Sequence, residues 1–159
     1  MSEKRILFVC TGNSCRSVMA QNILKRKLGA AGITKIQVES AGVFAMNGMS
    51  ATRETQRVLQ AEGMECADHR TRALTPEMIQ AADLIFVMEW FQLEEVLRRS
   101  PQAKEKTHLL KPYGLEKPET MSQPNIPDPI GKPLEVYEVC FVEIREAVER
   151  VAKALEVPS

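Results

Sequence analysis

The sequence predicts an α/β fold of three layers, a four-stranded parallel sheet with helices on both faces, in a single domain over residues 1–159. Three observations predict it. Four short runs of β-forming residues alternate with segments of helical spacing. Two of those runs, Ile6–Val9 and Asp83–Met88, are continuously apolar, as strands covered on both faces are. The chain has 159 residues, 44% hydrophobic and 26% charged, the size and balance of one folded domain.

The elements follow in order. Lys4-Arg5 leads into the first strand, Ile6–Val9, which Gly12 and Asn13 interrupt. From Arg16 the apolar residues Val18/Met19, Ile23, Leu24 and Leu28 recur at helical spacing, and Gly29 and Gly32 close the helix. Ile36–Ala41 is the second strand, followed by the loop Gly42–Gly48. Ser50–Glu62 reads as a helix with Val58 and Leu59 inward and Gly63 as its stop. Thr75-Pro76-Glu77 starts another, with threonine at the cap and proline at the first helical position. Asp83–Met88 is the third strand, Trp90–Arg99 a helix ending before Pro101, and Thr107–Leu110 the fourth strand. Residues 111–133 contain Pro112, Gly114, Pro118, Pro124, Pro127, Pro129, Gly131 and Pro133. That density forbids a regular element and predicts a long ordered loop or partly mobile flap. The last helix shows Tyr137, Cys140/Phe141, Ile144, Val148, Val151 and Leu155 every three or four residues. On such folds ligands bind beyond the carboxyl ends of the strands.

Composition excludes several functions. Twenty-one basic and twenty-one acidic residues give zero formal net charge, without the positive field that non-specific nucleic-acid binding needs. No apolar run approaches the roughly 18 residues of a membrane span, so no membrane insertion is expected. No secretory signal precedes the first strand, which predicts a cytoplasmic protein. In that compartment Cys10, Cys15, Cys66 and Cys140 are expected as reactive or buried thiols rather than structural disulfides. There is no C-x-x-C pair, and the two histidines, His69 and His108, lie far apart, so no metal site is expected.

The chemistry is carried by Val9-Cys10-Thr11-Gly12-Asn13-Ser14-Cys15-Arg16-Ser17, between a buried strand and a helix. Gly12 permits unusual dihedrals, and Asn13 tolerates the left-handed region. Successive N–H groups can turn inward as an anion nest, reinforced by the positive end of the following helix. Arg16 can clamp two phosphate oxygens with its planar fork. The same field favours the nucleophilic thiolate of Cys10. The spacing recurs at Cys66…Arg72. That segment has no glycine, Asp68 would repel phosphate, and no buried run leads into it, so Cys66 reads as a packed or incidental thiol. A thiol–phosphate intermediate also needs an acid to protonate the leaving oxygen. Asp128, stiffened between Pro127 and Pro129, is the candidate.

Together, Val9–Ser17, the Asp128-Pro129 pair and the β/α order resemble the low-molecular-weight protein tyrosine phosphatase family, over nearly the whole chain. Ser40-Ala41-Gly42, His69 and Arg72, Asp83–Met88 and Tyr137 belong to the same pattern. The resemblance implies that family's four-stranded fold, no metal, no cofactor and a cysteinyl-phosphate intermediate hydrolysed by water. It implies Cys10 as nucleophile, Arg16 as phosphate and transition-state ligand, and Asp128 as general acid and then base. Thr11, Gly12, Asn13, Ser14 and Cys15 complete the phosphate-binding loop. Ser17 would steady the thiolate, and Asn13, Ser40 and His69 would hold the loop's turn.

The default expectation is phosphotyrosine hydrolysis, on proteins or small aryl phosphates, by a monomer. The pocket would be formed by Ser14, Phe44, Met46 and Ile130. Protein arginine phosphatases of the same fold are the alternative, since Ser14 supplies a hydroxyl and Ser40–Ala45 resembles those enzymes. Arsenate reductase shares Cys-Thr-Gly-Asn-Ser-Cys-Arg-Ser, but Met88–Gln92 lacks the thiols that chemistry needs. A catalytically inactive anion-binding module is the non-enzymatic alternative. Cys10 and Cys15 bracket one tight loop and are an expected redox pair.

Overall fold

The computed structural model describes residues 3–159. Four parallel strands, β1 (Lys4–Cys10), β2 (Ile36–Gly42), β3 (Leu84–Val87) and β4 (Thr107–Leu109), form one sheet in the order β2-β1-β3-β4. The helices are α1 (Arg16–Ala30), α2 (Arg53–Ala61), α3 (Pro76–Ala81), α4 (Trp90–Arg99) and α5 (Leu134–Ala154).

The apolar run of β1 is explained by its two faces. Ile6, Phe8 and Cys10 enter a core with Val18, Leu24, Tyr137, Phe141, Ile144 and Val148 of α1 and α5. Leu7 and Val9 enter a second core with Ile79, Ile85, Val87 and Val96 on the side of α3 and α4. Burying each large aliphatic or aromatic side chain contributes about 1.5–3 kcal/mol relative to exposing it. Stacking of Phe8 on Phe86, with centroids 5.7 Å apart, ties the two central strands together on the α1/α5 side.

The chain leaves β1 towards β2 on one side and later enters β3 on the other. The carboxyl ends of β1 and β3 therefore flank the point where strand order reverses, the place where ligands bind on open parallel sheets.

Several expected boundaries shift. Helix α2 starts at Arg53 rather than Ser50, because the Thr52 hydroxyl caps it by accepting from the Thr55 N–H. Gly29 lies inside α1, and Gly32, at φ +69°, makes the left-handed turn. Strand β4 ends at Leu109, and a 3₁₀ helix, Pro101–Lys106, precedes it. The proline-rich stretch is not wholly irregular, since Pro118–Thr120 makes one 3₁₀ turn. It is also anchored. The Ile126 N–H donates to Met88 O at 2.9 Å, and Arg150 Nε donates to Tyr113 O at 2.8 Å. No helix among the described residues is long and apolar enough to cross a membrane.

Candidate active site

Residues 11–15 curl from β1 into α1. Asn13 takes the left-handed conformation, φ 56°, that its side chain tolerates. Backbone carbonyls of this loop are taken from outside. Cys10 O accepts from Val43 N, Thr11 O from Phe44 N, Ser14 O from Thr52 N and Cys15 O from Met19 N. Asn13 O accepts from His69 Nε2 at 2.7 Å. With the carbonyls of Thr11, Asn13, Ser14 and Cys15 engaged, the loop keeps its N–H groups for an anion, as a nest does. Gly42 makes the close packing possible, because a Cβ there would stand 2.4 Å from Thr11 O and 2.9 Å from Asn13 N.

A hydrogen-bond chain leads to the sulfur of Cys10. Asn13 Oδ1 accepts from the Arg72 N–H at 2.9 Å, which fixes the carboxamide. Its Nδ2 donates to Ser17 Oγ at 2.8 Å and Ser40 Oγ at 2.9 Å. Ser40 passes its own proton to Gln21 Oε1. Ser17, already accepting, has its proton free for Cys10 Sγ at 3.0 Å. The Asn13 N–H also points at that sulfur, 3.3 Å away. Two donors thus converge on Cys10 and favour negative charge there.

Arg16 is buried to 1% exposure and held along one edge. Its Nη1 donates to Glu89 Oε2 at 2.6 Å and Ile126 O at 2.7 Å. Its Nη2 lies 3.5 Å from Asp128 Oδ2. Burial works against the guanidinium's charge, but Cys10, Glu89 and Asp128 outweigh it, so Arg16 holds its proton more tightly than an ordinary arginine. Its Nε is the buried side-chain nitrogen or oxygen without a partner among the described residues. A cation with an unmet donor beside an inward-facing nest and a sulfur is suited to a tetrahedral oxyanion. Asp128 is partly exposed, and its Oδ1 accepts from the Ile130 N–H at 3.1 Å. This carboxyl stands where it can exchange a proton with a group leaving the loop.

Cys10, Asn13, Ser17, Ser40 and His69 are therefore joined by hydrogen bonds, and the Arg16–Asp128 pair stands beside them, Arg16 Nη2 reaching Thr11 Oγ1 at 3.5 Å. Half-burial lowers the His69 pKa, outweighing the hydrogen bond to Asn13 O, which favours the neutral ring as donor. Cys10 and Cys15 are both free thiols with separate partners, Cys15 Sγ lying 3.5 Å from Thr52 Oγ1 and 3.9 Å from the Tyr137 hydroxyl. Cys66 is buried and pushed up to about 11, chiefly by burial. The pocket residues are joined less tightly. Phe44 and Ile130 are exposed and tied to the site through their backbones, whereas the carbonyl of Met46 bonds Thr71. No group of three His, Cys, Asp or Glu side chains gathers for a metal among the described residues.

Sequence reasoning missed Glu89 and Gln92. Gln92 is wholly buried, and its Nε2 donates to Thr11 Oγ1 at 3.1 Å. Their signal was position: a Glu-x-x-Gln pair in the turn after a buried strand falls at the carboxyl edge of the sheet.

Residues 5–158 match the family described as low molecular weight phosphotyrosine protein phosphatase. The chain is 38% identical to a protein-arginine-phosphatase of Geobacillus stearothermophilus, over 96% of each chain. It is 35% identical to a probable low molecular weight protein-tyrosine-phosphatase, EpsP, of Ralstonia nicotianae, over 92% of each. Among solved structures it resembles the YwlE arginine phosphatase, captured as a cysteine-to-serine mutant with a phosphorylated active-site serine. That likeness has a TM-score of 0.86 at 30% identity, covering 96% of this chain and 95% of the other.

Proposed function

This chain belongs to the low molecular weight phosphotyrosine protein phosphatase family, and from that membership we propose that it hydrolyses phosphotyrosine, on proteins or small aryl phosphates, with Cys10 as nucleophile. The Cys10 thiolate attacks phosphorus, and the bond to the tyrosyl oxygen breaks as Asp128 protonates that oxygen. Water then attacks the cysteinyl phosphate, losing a proton to Asp128, and inorganic phosphate and the thiolate are released. Arg16 and the inner N–H groups of residues 11–15 hold the phosphoryl oxygens through both steps. Ser17 supports the thiolate each time it carries charge. The reading rests most heavily on Arg16, whose buried Nε has no partner among the described residues.

One observation favours a second substrate class. Ser14 places a hydroxyl on the loop, 3.5 Å from where a Gly12 Cβ would stand, and the 38% identical relative is a protein-arginine-phosphatase. A hydroxyl can meet a guanidinium N–H, which an aliphatic side chain cannot.

The test is turnover of phosphotyrosine and phosphoarginine peptides side by side, with Cys10→Ser as the blank. Phosphotyrosine turnover that vanishes in the blank supports the first reading, and phosphoarginine turnover alone supports the second. No turnover of either leaves an anion-binding module. For aryl phosphates, Asp128→Asn should lower kcat by roughly 10²–10⁴-fold, the scale of general acid–base catalysis. The loss should shrink as the leaving group becomes more acidic. An equal loss for every leaving group would remove Asp128 from the role of acid.

A further inference from the structure

Neither Gln92 nor the Thr11 hydroxyl takes part in the steps above. We propose that the Thr11 hydroxyl is a further hydrogen-bond donor to the bound phosphoryl group, and that Gln92 is the positioning residue that turns its proton that way. This rests on reading the Cys10 loop as a phosphate site.

Donor and acceptor bookkeeping carries it. Gln92 Oε1 accepts the N–H of Met88 at 2.8 Å and of Glu89 at 2.9 Å. Those two bonds fix the amide, because the opposite flip would set NH₂ against two N–H groups. Only Nε2 can then face Thr11 Oγ1, 3.1 Å away, and it can only donate. Arg16 Nη2, 3.5 Å from the same oxygen, is a donor in every state. Among the described residues these are the two side-chain partners of Thr11 Oγ1. Both donate, so the hydroxyl's single hydrogen must be given elsewhere.

Thr11 directly follows Cys10, is half-buried, and belongs to a loop in which the Thr11, Asn13, Ser14 and Cys15 carbonyls are already engaged. A phosphoryl oxygen held at the Cys10 sulfur is the acceptor this site's chemistry supplies. Gln92 sits in the first turn of α4, one residue-turn from Glu89, which grips Arg16. The start of α4 thereby holds two neighbouring donors, Arg16 through Glu89 and Thr11 through Gln92.

The experiment measures inorganic phosphate affinity by calorimetry and hydrolysis of para-nitrophenyl phosphate in the parent, Thr11→Val, Thr11→Ser, Gln92→Glu and the double variant Thr11→Val/Gln92→Glu. Thr11→Val should weaken phosphate binding about tenfold, the scale of one hydrogen bond to a charged group, with a similar fall in kcat/KM. Thr11→Ser restores the hydroxyl and should bind close to the parent. In Gln92→Glu the carboxylate keeps both backbone acceptor bonds but cannot donate, and it draws the Thr11 proton to itself. Its added charge weakens phosphate binding in either background, whereas the reversed hydroxyl acts only where Thr11 is present. The loss caused by Gln92→Glu should therefore be several-fold larger in the parent than in the Thr11→Val background.

Parent-like phosphate binding in Thr11→Val overturns the donor role. An equal loss from Gln92→Glu in both backgrounds overturns the positioning role. The two Thr11 variants decide the donor role even where Gln92→Glu lowers stability. A parent that binds phosphate but does not hydrolyse the ester counts against the phosphatase reading, and the binding comparison still decides the donor.

Discussion

At Ser17 a hydroxyl with one proton stands between an amide that donates to it, at 2.8 Å, and a sulfur that takes what it gives, at 3.0 Å. In the proposed mechanism this sulfur is the atom that leaves when the covalent intermediate breaks down. Ser17→Ala should therefore slow the second chemical step more than the first. We expect kcat to fall by about 10–100-fold, the range of a hydrogen bond to a charged partner. Rapid mixing with para-nitrophenyl phosphate should show a burst of nitrophenol larger than in the parent. A uniform slowing without a burst would place Ser17 in loop folding only. Cys66 makes the contrast. Its spacing to Arg72 matches that of Cys10 to Arg16, yet it is buried with no donor on its sulfur among the described residues, and Cys66→Ser should leave turnover within about threefold of the parent, the size of a small substitution effect.

The elements were legible where one physical signal governed them. The unbroken apolar run of β1 reports two covered faces, and the recurrence from Tyr137 to Val151 reports one helical face against α1. The loop between β1 and α1 was legible because Cys10, Gly12, Asn13 and Arg16 fall within seven consecutive residues. What was hidden depends on contacts between distant segments. Gly42 read as the start of an ordinary loop, and only the folded chain places Thr11 O and Asn13 N against its missing Cβ. Arg72 belonged both to the rejected second motif and to the family pattern, and neither reveals that its backbone N–H fixes Asn13. Glu89 was inspected only for the thiols its neighbourhood lacks. Gly42→Ala tests this stitching. It should lower stability by about 1–3 kcal/mol, as overpacking does, and reduce kcat/KM more than stability explains, because the displaced atoms are loop backbone. Urea unfolding and kinetics on the same preparation check it, and a stable variant with parental kcat/KM would contradict it.

At the scale of the whole molecule, two imidazoles make stability depend on pH near neutrality. Burial lowers His69 and His108 below the ordinary 6.5, with His69 also facing Lys25, Arg70 and Arg72. Below that ordinary value the unfolded chain binds protons that the folded chain refuses. Stability is therefore full above about pH 6.5 and is lost as pH falls towards the lowered folded values. Glu95, held down to about 2 by hydrogen bonds from Arg98 and Arg99, titrates below this window. The thermal midpoint should drop between pH 7 and pH 5, and His69→Gln with His108→Gln should flatten the drop. A slope unchanged in the double variant would assign it to other groups. The contact between Cys15 and Tyr137, across 122 residues, also has a consequence in time. At roughly 5–20 residues per second, a ribosome needs about 6–25 s to travel from one to the other. For most of that interval Cys10, the proposed nucleophile, is already in the chain, while Asp128 and the helix that packs on α1 are still to be made. The Cys10 thiol is thus present for seconds before the α5 side of the core that buries it exists.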